Sequence, residues 1–316
     1  MLVLTVHISL QYQVLVRAQD NLEFTLDNTN DAVELGRILM KISGNPNDVL
    51  VTKYAFFLAE EVLGLSGDYS IARGGAAGKS IAHIFTFGNM YLNDGSLVKA
   101  LSCQDVSLQR SAGLIFAHLL NLYEGSSDRL RDWIISKLIS STEGVWESAM
   151  PALTTYLRGS AARKNSLIEA GAVQHIATIF RNLDIKQNTQ QVYELCFILW
   201  TLSLGEVEMP SFLASGIIPV LVDLLTAAPT RKVTRMTLAT LKNLSVSEDD
   251  AVLNEMFTAT LPKILDTMHH NHFLKTAADD EVESDFKFLQ EVLARNFREL
   301  SSYERWASQV QSGSLR

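Results

Sequence analysis

The stretch Ala72 to Ser80, ARGGAAGKS, ends in Gly-Lys-Ser, residue types that can cradle a nucleotide phosphate. Glycine lets the backbone approach, lysine supplies charge and serine offers a hydroxyl to a metal ion. The phosphate-binding pattern also needs a glycine where Arg73 stands, and a preceding strand to aim the loop. A connecting loop between helices therefore fits these residues better than a nucleotide site. His269, His270 and His272 are metal-ligand types, but no cysteine lies near them and structural zinc wants four spaced ligands. They read as a solvated loop. His83 and His118 stand alone in apolar helical segments and are expected to be hydrogen-bonded core residues, with no serine, cysteine or carboxylate at catalytic spacing.

Two further groups bear on binding rather than catalysis. The acidic run Asp279, Asp280, Glu281, Glu283 and Asp285 could meet a metal or a basic partner. As a solvated linker it would also put negative charge at a helix N-terminus, where the helix dipole favours it. Trp200 and Asn243 are the residue types of peptide-binding armadillo grooves. Such grooves pair Trp and Asn four apart on one helix, whereas Trp200 is followed by Leu204 and Asn243 is preceded by Ala239. No ladder of that kind is written in the chain. The expectation is a protein with no catalytic, cofactor-binding or metal-binding residues, and no partner-contacting residue stands out from one sequence.

The elements that carry these residues are helical. Val192, Leu195, Leu199 and Leu202 mark one face of a helix, and Phe197, Ile198 and Trp200 extend its apolar surface around most of the circumference. Val233, Met236, Leu241 and Leu244 repeat the pattern, after a Gly-Ile-Ile-Pro turn that puts Pro219 early in a helix, where its missing N–H is harmless. Helical periods also cover Ala32–Leu39, Val51–Leu63, Ile81–Met90, Leu97–Leu101, Val106–Leu122, Asp128–Ser140, Val145–Leu157 and Ala161–Glu169. Gly171-Ala172-Val173 and Gly216-Ile217-Ile218 open equivalent helices 45 positions apart, and the longer helices that follow are 41 apart at Val192 and Val233. A repeat of this length is the period of armadillo and HEAT arrays. The fold class expected is therefore all-α, an armadillo/HEAT-like α-solenoid, with residues 1–276 forming the superhelical domain. Residues 277–285 read as a linker, and 286–316 as the start of a further, truncated C-terminal domain, with Phe286, Leu289, Val292 and Leu293 on one helical face.

Composition bounds the function. With 47% hydrophobic and 20% charged residues in 316 positions, a large core is easily filled. A net charge of −8 disfavours non-specific nucleic-acid binding, which rests on neutralising phosphates. Cys103 and Cys196 lie far apart among apolar residues and are expected to be buried free thiols, which suits a reducing, cytoplasmic compartment. The N-terminal run MLVLTVHISLQYQVLV lacks a basic start and a small-residue cleavage site. His7, Gln11 and Gln13 interrupt it, short of the roughly 20 apolar residues that span a bilayer. No membrane insertion, cofactor or small-molecule substrate is expected.

Several blocks carry a closer resemblance. Tyr193 to Leu204, IIPVLVDLL from Ile217 and KVTR at Lys232 to Arg235 resemble the H subunit of the vacuolar-type proton ATPase (V-ATPase). So does the stretch from Phe286 to the end, with Leu300 to Tyr303 and Gln311 to Leu315 matching the family's Leu-Ser-Ser-aromatic and Ser-Gly-x-Leu segments. Trp133-Ile134, Leu138 to Ser141 and Glu169-Ala170-Gly171 match more loosely. The resemblance covers Asp128 to Arg316. It implies a superhelical, non-catalytic component of the pump's peripheral sector, lying on the cytosolic face of vacuolar and other endomembranes. Such a component binds the stator stalk made by the E and G subunits, and the cytosolic part of the a subunit. It is needed for coupled proton pumping and silences ATP hydrolysis by the detached sector. The alternative is a general armadillo-type adaptor that binds peptides in its groove.

Overall fold

The computed structural model describes residues 95–123, 125–140, 144–205, 209–227, 230–270 and 280–300, with positions 53, 55, 56, 310 and 311. Every regular element among them is a helix. They are α1 (Ser96–Leu101), α2 (Val106–Leu122), α3 (Asp128–Ile139), a 3-10 turn (Trp146–Ala149), α4 (Met150–Leu157), α5 (Ala161–Glu169), α6 (Ala172–Asn182) and α7 (Thr189–Leu202). After these come α8 (Met209–Ser215), α9 (Ile217–Ala227), α10 (Arg231–Ser245), α11 (Asp250–Thr258), α12 (Leu261–His270) and α13 (Asp280–Leu300). The chain divides into two compact units, Met1–Lys164 and Asn165–Arg316. Among the described residues no single helix is long and apolar enough to cross a membrane.

In the first unit α2 packs along α4, with α1 and α3 against it. Its start is fixed by Asp105, whose carboxylate accepts from the Leu108 N–H at 2.9 Å and pairs with Lys53 at 2.8 Å. That cap satisfies one of the orphan N–H groups of a helix end. Gly113, in the middle of α2, admits the Trp133 ring from α3; a Cβ there would lie 2.7 Å from it. The other end of α2 is closed by Arg163, which is only 2% exposed. Its Nε donates to the Gly125 carbonyl at 2.7 Å and its Nη2 to the Leu120 carbonyl at 2.6 Å. Nη1 donates to the side-chain oxygen of Asn121, and the guanidinium lies 5.2 Å from the Tyr156 ring centre. A buried cation of this kind is tolerable because carbonyl dipoles and a π face surround it.

The second unit is a run of three-helix repeats. A short helix, a left-handed residue, a middle helix and a long helix recur as α8–α9–α10 and α11–α12–α13, following α6 and α7. The left-handed residue is Gly171 before α6 and Gly216 before α9, with φ of 87° and 63°; before α12 it is Thr260, at 62°. Like elements stack. α6 packs on α9 and α9 on α12, while the long helices α7, α10 and α13 lie side by side in that order. Their facing sides are apolar, with Leu195 and Leu199 of α7, Leu238 and Leu241 of α10, and Phe286 and Leu289 of α13 buried. Burial of side chains this size contributes about 1.5–3 kcal/mol each. Polar links tie successive repeats: Arg181 donates to the Ser215 carbonyl at 2.9 Å and Asn243 to the Ser203 hydroxyl at 2.9 Å.

The last helix starts at Asp280, inside the stretch expected to be a linker, and packs on α10 and α12. The sequence puts Phe286, Leu289, Val292 and Leu293 on one face without naming what that face packs on. In the structure the core is the exposed side of the preceding repeat. Around α7 the apolar surface is also used unevenly: Ile198 is buried, whereas Phe197 and Trp200 are half-buried on an open side.

Candidate functional site

The open side of the long helices forms the most distinctive surface. On α7, Tyr193, Phe197 and Trp200 follow each other at helical spacing and are all half-buried. Phe197 and Trp200 tilt against each other with ring centres 5.6 Å apart. The neighbouring helix α10 carries Arg231, Lys232, Arg235 and Lys242 and no acidic residue. Lys232 lies 5.9 Å from the Tyr193 ring centre, within the range of a cation–π contact.

Where α10 meets α13 the surface becomes a groove. Trp200, Met236 and Ala239 supply its apolar lining, and Arg235 and Lys242 its cationic one. The start of α13 supplies Glu281, Ser284 and Asp285. These face the cations directly. Arg235 pairs with Glu281, and Lys242 with Asp285 at 2.6 Å. Lys242 also lies 5.6 Å from the Phe288 ring centre. The Lys242–Asp285 pair is the more sheltered, its carboxylate 13% exposed against 73% for Glu281. The described lining residues hold no histidine or cysteine, and their charged and apolar side chains suit recognition of charge and apolar groups.

The acidic run is thus only partly a solvated one. Asp280 opens α13, and Glu281 and Asp285 meet basic side chains of the same chain, one helix away. Glu283 pairs along α13 with Lys287 at 2.5 Å, which holds its carboxyl below its ordinary pKa. Trp200 and Asn243, which no spacing rule connected, line the same groove from adjacent helices. Stacking at a repeat offset brings them together, so the useful signal was their place in the repeat.

Other expectations are modified. His118 is half-buried, and its Nε2 is buried with no hydrogen-bond partner among the described residues. Burial, with Arg158 nearby, pulls its pKa down, so the ring packs in its neutral form. Cys196 is buried and free, as expected, with burial pushing its pKa up to about 12; Cys103 is free but half-buried. Among the described residues no group of His, Cys, Asp or Glu could hold a metal ion. The Ala72–Ser80 stretch, the N-terminal run, His83, His272, Asp279 and most of the Gln311–Leu315 tail lie outside the described residues, as do the side chains of His269 and His270.

Comparison with known proteins supplies the context for this surface. The family model of the V-ATPase H subunit matches residues 96–293. A V-type proton ATPase H subunit of Drosophila melanogaster is 31% identical over 148 residues, covering 45% of this chain and 31% of the relative. A probable V-type proton ATPase H subunit of Caenorhabditis elegans is 30% identical over 182 residues, 56% of this chain and 37% of the relative. The chain thus spans well under half the length of these relatives. Among solved structures, a designed armadillo repeat protein superposes with a TM-score of 0.61 at 16% identity, covering 82% of this chain and 99% of its own. Another, solved with the peptide (KR)4, gives 0.60 at 17% identity, covering 82% of this chain and 99% of its own. The fold is therefore the expected armadillo-like α-solenoid.

Proposed function

The chain belongs to the V-ATPase H-subunit family, and on that premise we propose that it acts as a non-catalytic regulatory and stator component of the proton pump's peripheral sector. It couples ATP hydrolysis to proton transport by binding the E and G stalk subunits and the cytosolic part of the a subunit. That role puts it on the cytosolic face of vacuolar and other endomembranes. The observation that carries the reading is the family match over 96–293, a span that contains α7, α10 and most of α13. A stack of repeats offers extended surfaces for binding rather than an enclosed reaction pocket, which suits a component that works through contacts. Titration calorimetry against a purified E–G stalk heterodimer tests it. Saturable one-to-one binding is expected. A folded sample that neither binds the stalk nor co-purifies with the pump would remove the reading.

One observation favours a second reading, an armadillo-type adaptor for peptide segments. Trp200 and Asn243 line one groove together with Arg235 and Lys242, a mixture of aromatic, amide and charged groups suited to an extended chain. Trp200→Ala would abolish peptide capture under this reading and leave stalk binding unchanged.

A further inference from the structure

We propose that the groove between α10 and the start of α13 docks an acidic segment of a partner protein, and that Glu281 and Asp285 are built-in competitors for the same cations. This rests on the adaptor reading above and names the class of segment that the groove takes.

The first support is charge. In a chain of net charge −8, α10 carries four cations and no anion. Arg235 and Lys242 line the groove, and Lys232 stands further along the same helix against Tyr193. On α7 the described acidic side chain is Glu194, which accepts from Gln190 at 2.9 Å. Among the described pairs, the carboxylates that meet the groove cations come from α13.

The second support is exchangeability. Arg235 is 42% and Glu281 73% exposed, and ion pairs open to water contribute little net stability. An incoming carboxylate can therefore replace Glu281 without unfolding α13, whose attachment rests on Val282, Phe286, Leu289, Val292 and Leu293, all buried. The Lys242–Asp285 pair is more sheltered and yields less easily.

Spacing then specifies the segment. Arg235 and Lys242 are two helical turns apart, roughly 10 Å along α10. A segment in the polyproline II conformation rises about 3.1 Å per residue with three residues per turn, so carboxylates three positions apart share a face and match the two cations. Trp200, Met236 and Ala239 lie beside the cations and accept an apolar side chain between the acids.

The test uses the full chain and a fluorescein-labelled peptide containing Glu-Leu-Ser-Glu, against a twin containing Lys-Leu-Ser-Lys, read by anisotropy. The acidic peptide binds saturably and more weakly as salt is raised. Arg235→Gln and Lys242→Gln each weaken it about tenfold, while circular dichroism stays unchanged. The double variant E281Q/D285N tightens it about threefold or more, the opposite of what loss of a merely structural contact would do. Unchanged or weaker binding by that double variant overturns the competitor role. Preference for the lysine twin leaves the adaptor reading standing and overturns the acidic class. Binding of neither peptide, by wild type or by E281Q/D285N with helicity intact, removes both.

Discussion

Arg163 shows how much one side chain can organise. It gathers the Leu120 carbonyl of α2, the Gly125 carbonyl and the Asn121 amide oxygen, with no carboxylate paired to it among the described residues. Arg163→Met takes the donor from the half-buried Gly125 carbonyl and Asn121 oxygen, at about 1–3 kcal/mol for each group, while the Leu120 carbonyl still accepts from the Gly125 N–H at 3.0 Å. Urea denaturation should therefore show a loss of about 2 kcal/mol or more, and Arg163→Lys should recover little, because an ammonium lacks the planar fork. Asp105 predicts a pH dependence. The hydrogen bond from Lys53, with Ser107 and the Leu108 N–H, lowers its pKa to about 2. A carboxylate whose folded pKa is depressed stabilises the fold above its unfolded pKa and loses that contribution as pH falls through the folded one. Between about pH 4 and pH 2 the wild type should lose stability that Asp105→Ala lacks throughout, and at neutral pH the variant should be about 1 kcal/mol less stable. Acid titration of both proteins by circular dichroism checks the sign.

At the scale of elements, the left-handed residue between short and middle helices is the joint of each repeat. Gly171 and Gly216 suit it, since glycine has no Cβ to clash there. Thr260 occupies the third joint at φ 62°, a conformation that is costly for a β-branched residue. Thr260→Gly should raise stability by about 1 kcal/mol, seen as a higher melting temperature; a drop would mean that the threonine side chain holds the joint by another contact. This residue also explains what was legible in the sequence. Two repeats announced themselves through Gly-Ala-Val and Gly-Ile-Ile, and the helices α2, α5 and α7 matched their apolar periods closely. The middle helix of the last repeat is entered through Thr-Leu-Pro, so its joint carries no glycine signal, and the sequence alone reads α13 as the opening of another domain. Its packing on α10 explains why: the apolar stripe of Phe286, Leu289 and Val292 shows that the helix needs a partner but not which one. Phe286→Ala should cost about 3–5 kcal/mol and expose α13 amides to hydrogen exchange before those of α7. The groove was less legible than the fold, because Trp200, Lys242 and Asp285 are remote in sequence and only repeat stacking makes them neighbours.

At the scale of the molecule, two compact units share one chain. A defect placed within one unit tests whether protection is lost there alone, since stability varies across a structure in cooperative blocks. Hydrogen exchange on Arg163→Met should show α2 losing protection while the amides of α9 and α10 keep theirs; loss across both units would mean that they unfold together. The second unit also carries a natural clock. Cys196 of α7 is fully buried, its Sγ 3.8 Å from the Thr237 hydroxyl on α10. A thiol with a pKa near 12 and no access to solvent cannot react until that seam parts. The half-buried Cys103, in the first unit, reports on a different region. Slow alkylation of Cys196 therefore reports how often the α7–α10 seam stands open, and counts single openings once the reagent outpaces reclosing. A partner that clamps the repeats together would lengthen the interval between ticks, so the chain carries its own stopwatch for engagement.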